Sequence, residues 1–380
     1  MFKIGVVGAG FIGTQHIEAL RRIQGVKIVA IADNNLEYLE SLRKKGTCER
    51  VYTSFSEMLE KEELDAIHNC TPTNVHYEVN KKAIEKNLHI YSEKPLVKEL
   101  DEAKELLTML KDKRLITAVN FNYRTNLLVQ EMKEVIKTKA FGKPLFVQGE
   151  YLQDWLMFET DYDWRMDKTI GGISRALADI GSHCFDIMEF VLSRKIISVN
   201  AKLFKVHSKR KKYENIGTFS QTLAENDNFT EVIVDNEDGG VIQAEFEGGI
   251  IGSFIISQVS AGKKNGLKIN VSGEKKAMEW RQEQSDRLWV GHRDRGNEEI
   301  FADAKYVSAG AKKYATLPNG HPVGWHDALT NGIRAFYEAI EKEDYDSQKP
   351  FATFEDGYHI MQVVNACLES DQNKVWIDIQ

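Results

Sequence analysis

Three side chains in this sequence have the types and surroundings needed to move a proton off a hydroxyl group: Lys94, Asp179 and His183. A lysine ammonium can hydrogen-bond an oxygen and stabilise the negative charge that develops as a hydroxyl loses its proton. A histidine, with an ordinary pKa of about 6.5, can take and return a proton near neutrality. Asp179 lies four residues before His183 within LADIGSHCFDIMEFV; on a helix the two share a face, where the carboxylate can orient the imidazole and favour its charged form. An Asp-x-x-x-His pair also serves as a plain structural hydrogen bond, and spacing alone leaves both readings open. A metal reading is poor, because Cys184 falls on the apolar stripe and no second ligand cluster has suitable spacing; no metal is expected.

A second constellation can hold phosphate. Gly8, Gly10 and Gly13 stand as GAGFIG between the apolar run KIGVV and the helical pattern FIGTQHIEALRRI. The first glycine suits a tight turn, the second lets backbone approach a pyrophosphate, and the third permits close helix packing; the helix start supplies amides and a positive dipole end. Twenty residues after Gly13, Asp33 closes VKIVAIAD, placed to accept hydrogen bonds from ribose hydroxyls and to repel a 2′-phosphate. Asn34 and Asn35 follow it, with no adjacent arginine, so NAD is expected over NADP.

These residues need a scaffold of alternating strands and helices. In the first 120 residues the runs KIGVVG, VKIVAIA, LDAIHNC, LHIYS and LITAVNF are separated by segments of helical spacing, the pattern of βαβ units on a doubly wound parallel sheet. Lys94 falls just past LHIYS, at the carboxyl edge where such sheets place ligands, and its neighbour Pro95 permits a cis peptide. From Tyr123 onward a helix, a strand and the helix around DIGSHCFDIMEFVL precede EVIVDNED, GVIQAEFEGG, IIGSFIISQVS, LKINVSGEKKAMEW and RLWVGH, which read as an antiparallel meander. Two helices, WHDALTNGIRAFYEAIEK and FEDGYHIMQVVNACLES, and a strand at KVWIDI close the chain. The expected organisation is a Rossmann α/β domain over residues 1–122 and an α+β domain over 123–380, with a helix near 353–370 packing back on the first.

Composition narrows the partners. With 42% hydrophobic and 28% charged residues and six prolines among 380, the chain has the make-up of a folded globular protein. A net charge of −7 argues against a nucleic-acid footprint. The run HSKRKK, His207 to Lys212, reads as a solvated loop. No stretch approaches the ~20 apolar residues of a membrane span. Cys48, Cys70, Cys184 and Cys367 are widely separated and suit buried thiols; with the leaderless start MFKIGVVGAG they point to the cytoplasm.

Taken together, GAGFIG, TPTNVH (Thr71–His76), EKP (Glu93–Pro95), WR (Trp164 and Arg165), and GG followed by DIGSH resemble the Gfo/Idh/MocA oxidoreductases, over essentially the whole chain. YLQDWL, DYDWR and HPVGWHDALTNGIRAFYEAI are similar to the levoglucosan and scyllo-inositol dehydrogenase branch. The resemblance implies an N-terminal Rossmann domain, a C-terminal domain on a large, open, mostly antiparallel sheet, and homodimers or homotetramers joined through that sheet. It implies oxidation of a secondary hydroxyl on a sugar, anhydrosugar or cyclitol, with His183 as base and Lys94 and Asp179 stabilising and orienting. It also implies cofactor contacts from Phe11, Ile12, Thr71, Asn74, His76, Glu93, Trp164 and Arg165. Substrate contacts would come from Asn120, Tyr123, Tyr151, Asp154, His321 and Trp325. Two other readings stand beside this one: an NAD-dependent glycosidase that oxidises its sugar transiently, and an NAD-binding sensor without turnover, which keeps the cofactor fold but does not need Lys94, Asp179 and His183 together.

Overall fold

Strands β1 (Phe2–Val7), β2 (Val26–Ala32), β3 (Arg50–Tyr52), β4 (Ala66–Asn69), β5 (His89–Ser92) and β6 (Thr117–Val119) form one parallel sheet in the order β3-β2-β1-β4-β5-β6. This computed structural model describes residues 1–213, 228–318 and 320–379. The strands read as unbroken apolar runs because both faces are buried: Ile4, Val6, Ala30, Ile31, Ile67 and Ile90 are all inaccessible to solvent. Helices α1 (Phe11–Leu20), α2 (Leu36–Lys44), α3 (Phe55–Lys61), α4 (Thr73–Glu85) and α5 (Leu100–Leu110) supply the crossovers. Strand order reverses between β1 and β4, so their carboxyl ends flank the crevice in which a doubly wound sheet takes its ligand.

Beyond α6 (Leu127–Ile136) the second sheet begins with β7 (Pro144–Leu152), followed by the short helix α7 (Lys168–Gly171) and α8 (Ser182–Leu192). Strands β8 (Ile196–Phe204), β9 (Lys209–Tyr213), β10 (Phe229–Ile233), β11 (Gly239–Phe246), β12 (Ile250–Ser257), β13 (Gly266–Gly273), β14 (Ala277–Arg281), β15 (Arg287–Gly291), β16 (Glu298–Phe301) and β17 (Ile377–Asp378) follow along the chain. Eight of them join β7 in one sheet, in the order β16-β15-β14-β13-β7-β12-β11-β8-β17. The expected meander is corrected in two places. β7 inserts between β13 and β12 and runs parallel to β12, making the sheet mixed, and β10 leaves it to pair with β9 in a separate two-stranded ribbon. HSKRKK is therefore not all solvated loop: Lys209–Tyr213 is β9, and its Arg210 is fully buried. One face of the large sheet packs on α8, every residue of which is buried. Gly149 makes that approach possible, since a Cβ there would lie 2.6 Å from Cys184 Sγ.

The chain divides into two compact units, Met1–Gln130 with Asp303–His359, and Glu131–Ala302 with Ile360–Gln380. This differs from a single cut at residue 122, because residues 303–359 return to the first unit. The reason is α9 (Trp325–Glu341), whose apolar face of Leu329, Ile333, Phe336, Tyr337 and Ile340 joins the core made by Ile4, Ile17, Leu20 and Tyr91. Each such side chain contributes about 1.5–3 kcal/mol on burial, more than enough to fix where the helix docks. The last helix, α10 (Phe354–Asn373), carries the boundary between units after His359, so only its first six residues belong with the first unit.

Candidate functional site

The glycine turn has the shape its sequence requires. Gly8 sits at φ +88°, and a Cβ there would lie 2.5 Å from the Cys70 carbonyl oxygen; a Cβ on Gly13 would lie 2.1 Å from the Gly8 carbonyl oxygen. Gly10 faces open space, with nothing within 4 Å of its virtual Cβ. No side chain caps α1, and its first turn carries no acidic residue, so the helix presents amides and a positive dipole end toward that space. Asp33 accepts the Ala9 N–H on Oδ2 at 2.7 Å and the Asn35 N–H on Oδ1 at 2.9 Å, and each oxygen retains a lone pair for a further donor. A dinucleotide fits these residues: pyrophosphate over Gly10 and ribose hydroxyls on Asp33. Phe11, the first helical residue, is largely exposed, and Ile12 packs against the core.

At the carboxyl end of β5 the chain places Glu93 in the interior and Lys94, half-buried, at the rim, with a cis Lys94–Pro95 peptide. Glu93 Oε1 accepts hydrogen bonds from His16 Nε2 at 2.9 Å and Asn120 Nδ2 at 2.5 Å, while Oε2 accepts the Lys94 backbone N–H at 3.2 Å. Burial opposes ionisation of this carboxyl, but the hydrogen bonds from His16 and Asn120 and the neighbouring Lys94 outweigh it and hold Glu93 below the usual carboxylate range. His76 bridges the Pro95 and Thr71 carbonyl oxygens at 2.8 Å each, and burial pulls its pKa down despite those acceptors. Thr71 Oγ1 donates to Asn69, and Asn74 is exposed in the first turn of α4. Asn120 lies behind Glu93, its Oδ1 accepting from Tyr91 at 3.1 Å. Tyr123 is buried beside it in sequence, Trp325 packs partly buried against the core, and His321 is exposed in a turn on Pro318. In the first unit, then, Thr71, His76, Glu93, Lys94 and Asn120 form one connected cluster.

The second unit holds a second cluster. The stretch carrying Asp179 is a π turn, Leu177–Gly181, and the regular helix starts only at Ser182, a correction to the single helix read from the sequence. Such turns widen the helix and recur where a side chain must be aimed. Asp179 Oδ2 accepts from Gln258 Nε2 at 2.9 Å, and its Oδ1 pairs with Arg165 Nε at 3.2 Å. Arg165 also pairs with Asp163 and stacks 4.4 Å over the Trp164 ring. His183, in the first turn of α8, is buried with its ring 6.4 Å from that of Tyr151, whose hydroxyl bonds Asn265. Asp154 is engaged by Lys264 Nζ at 2.6 Å and by the Gly262 N–H; burial opposes its ionisation, but those contacts win and lower its pKa.

A buried charge clamp fixes the loops around this cluster. Arg175 and Arg210 both pair with Asp238, and all three are inaccessible. Arg210 Nη1 also reaches the Leu156 and Phe158 carbonyls at 2.8 Å, and Asp238 Oδ2 accepts the Val206 N–H at 2.6 Å. Glu237 accepts from the Ser174 hydroxyl and from the Arg175 and Leu177 amides, holding the entry to the π turn. Burial raises the Asp238 pKa and the two guanidinium groups more than reverse it. Sequence reasoning did not find these residues, nor Gln258, Asn265, His16, His68 or Tyr337. Each is a common residue type whose role comes from a partner distant in the chain. Among the described residues no group of three or more His, Cys, Asp or Glu side chains could hold a metal ion, and no helix is long and apolar enough to cross a membrane.

Residues 2–121 match the family described as "Oxidoreductase family, NAD-binding Rossmann fold" (GFO_IDH_MocA), and residues 129–279 match the GFO/IDH/MocA C-terminal domain. Levoglucosan dehydrogenase of Pseudarthrobacter phenanthrenivorans is 26% identical over 99% of this chain and 98% of its own. Myo-inositol 2-dehydrogenase of Thermotoga maritima is 29% identical over 52% of this chain and 56% of its own. A crystal structure of levoglucosan dehydrogenase in complex with NADH and L-sorbose superposes with a TM-score of 0.88 at 24% identity, covering 100% of this chain and 99% of that one, a match that establishes the shared fold.

The clamp yields a direct test. Asp238→Ala leaves two buried guanidinium groups without their counter-ion, and breaking a buried pair this way costs about 3–5 kcal/mol. The expected outcome is a lower urea midpoint with an unchanged slope; an unchanged midpoint would mean the clamp does not hold these loops.

Proposed function

Because the chain belongs to the Gfo/Idh/MocA oxidoreductases, with an NAD-binding Rossmann fold in its first unit, we propose that it reversibly oxidises a secondary hydroxyl of a ring polyol to the ketone, with NAD as cofactor. The proposed substrates are sugars, anhydrosugars or cyclitols, of levoglucosan or inositol type. The observation that carries this reading is the rim of the parallel sheet: the open turn at Gly10, Asp33 and Lys94 stand at the carboxyl ends of β1, β2 and β5 of one sheet, where a dinucleotide and its reacting partner lie side by side. Asp33 with no basic neighbour favours NAD over its 2′-phosphorylated form.

The bound nicotinamide supplies the hydride acceptor, and the protein supplies the rest. In the proposed assignment His183 takes the hydroxyl proton, its neighbour Asp179 favouring the resulting imidazolium. The Asp179 carboxylate is fixed for that task by Gln258 and Arg165. Lys94 donates to the same substrate oxygen and stabilises charge as it builds. Glu93 and His76 hold the lysine's backbone from behind, through its N–H and the Pro95 carbonyl. Tyr151, Tyr123, His321 and Trp325 are proposed to meet the ring, Asn120 and Asp154 to support those that do, and Thr71, Asn74, Trp164 and Arg165 to border the cofactor.

The unpacked face of the large sheet is proposed as the self-association surface. Val241, Ile251 and Ile255 are adjacent on β11 and β12 and 52%, 43% and 46% exposed, with Phe146 paired to Ile251 on β7. Contiguous apolar patches of this kind mark interfaces. A reducing, cytoplasmic setting is supported by four buried, unbridged cysteines.

Incubating the purified chain with NAD or NADP and a panel of inositols, levoglucosan, glucose, xylose and simple glycosides should give NADH absorbance with one ring polyol. Lys94→Ala or His183→Ala should reduce turnover by about 10²–10⁴-fold with nucleotide Kd little changed. Undiminished turnover in both variants would reject the assignment, and sugar release from a glycoside without net NADH would replace it with glycosidase chemistry. In sedimentation, Ile255→Lys should yield a smaller species than the parent chain; identical species would rule out this face.

A further inference from the structure

Behind Lys94 lies a run of buried polar groups for which the proposed chemistry has no step. His16 is fully buried on α1, three residues past the last glycine of the turn. Its Nε2 meets Glu93 Oε1 at 2.9 Å and its Nδ1 meets His68 Nδ1 at 2.9 Å. His68, also fully buried, reaches the Tyr337 hydroxyl of α9 through Nε2 at 2.9 Å.

A neutral imidazole has one donor and one acceptor, so the chain can run in two senses. In one, the Tyr337 O–H donates to His68, His68 Nδ1–H to His16, and His16 Nε2–H to an ionised Glu93. In the other, each bond is reversed, and Glu93 must be protonated to donate to His16. Two further donors choose between them: the Asn120 amide and the Lys94 backbone N–H both point at the same carboxylate. Three donors converging on a buried carboxyl stabilise its ionised form. The 3.3 Å approach of Asn120 Nδ2 to His16 Nε2 follows from both donors sharing Oε1.

We propose that His16 is a positioning residue for the lysine: by donating Nε2–H to Glu93 it keeps that buried carboxylate ionised, directly before Lys94 in the chain. This rests on the reading of Lys94 as a catalytic group, and it places the carboxylate that accepts the lysine's backbone N–H under the control of the helix that follows the glycine turn. The other groups around Glu93 do not compete. Burial, then Glu93 itself, pushes the Cys70 thiol and the Tyr91 hydroxyl up, so both stay neutral. Burial pulls His68 well down, keeps Tyr337 protonated and draws His76 downward.

The test reads the carboxyl directly, without cofactor or substrate. In ¹³C-labelled chain, with the Glu93 resonance assigned from Glu93→Gln, the carboxyl should be ionised throughout the neutral range. In His16→Phe its proton affinity should rise about a hundredfold, moving the titration up about two pH units, as burial without a donor dictates. His16→Gln, whose side-chain amide can donate from nearly the same place, should restore most of it. Asn120→Leu, which removes a different donor, should shift it in the same direction, providing a second route should His16→Phe fail to fold. In turnover, His16→Phe should lower kcat about tenfold or more and move the acid limb of its pH profile upward, with KM for NAD within about twofold and with recovery in His16→Gln. A Glu93 titration that does not move upward in folded His16→Phe overturns the proposal. A carboxyl that responds while Lys94→Ala retains full turnover keeps the role of His16 over Glu93 and overturns the assignment of the lysine instead.

Discussion

Glu93 is a carboxylate withdrawn from water, and a group of that kind persists in charged form only where donors surround it. Its partners come from distant parts of the chain: His16 from the first helix, Asn120 from the end of the sixth strand, and its own neighbour Lys94. Through His16 it is tied to His68 on the fourth strand and Tyr337 on α9. The same few hydrogen bonds thus register the cofactor helix, the strand ends and the returning C-terminal helix against the lysine. A slip in any of these elements leaves an uncompensated charge in the core, so the geometry of the rim is held by the cost of breaking it.

The second unit solves a similar problem with more charge. Its Asp179 emerges from a π turn whose entry is gripped by Glu237, and the surrounding loops are gathered onto Asp238 by Arg175 and Arg210. The segment carrying Asp179 thus rests on a buried knot of two arginines, Asp238 and Glu237. In both clusters a residue of the proposed site is held by buried ionic groups.

Much of the first unit was legible because its signals are local. The glycines at 8, 10 and 13 each meet a steric demand that only their own turn imposes, Asp33 follows at a fixed distance, and strands buried on both faces show as unbroken apolar runs. Lys94 and its cis proline were legible from three adjacent letters. What stayed hidden depends on contacts across the chain. Arg210 sits in HSKRKK, which reads as solvated charge, yet its partner Asp238 takes it into the interior. The apolar face of α9 shows that the helix packs, but not that it packs on the first unit. β7 enters the middle of the second sheet because pairing partners, unlike periodicity, are not written in a strand's own residues. Asn120 and Asp154 were read as substrate contacts from their segments; the structure surrounds one with Glu93 and Tyr91 and the other with Lys264 and Gly262.

The central claim, direct passage of a hydride from a ring carbon to the cofactor, is best tested by isotope transfer. A ring polyol that the chain turns over, deuterated at its carbinol carbons, should yield reduced nicotinamide carrying one deuterium at C4 per ketone formed, with none from solvent. Reduced cofactor without the label, or product formed with no label leaving the ring, would contradict the account.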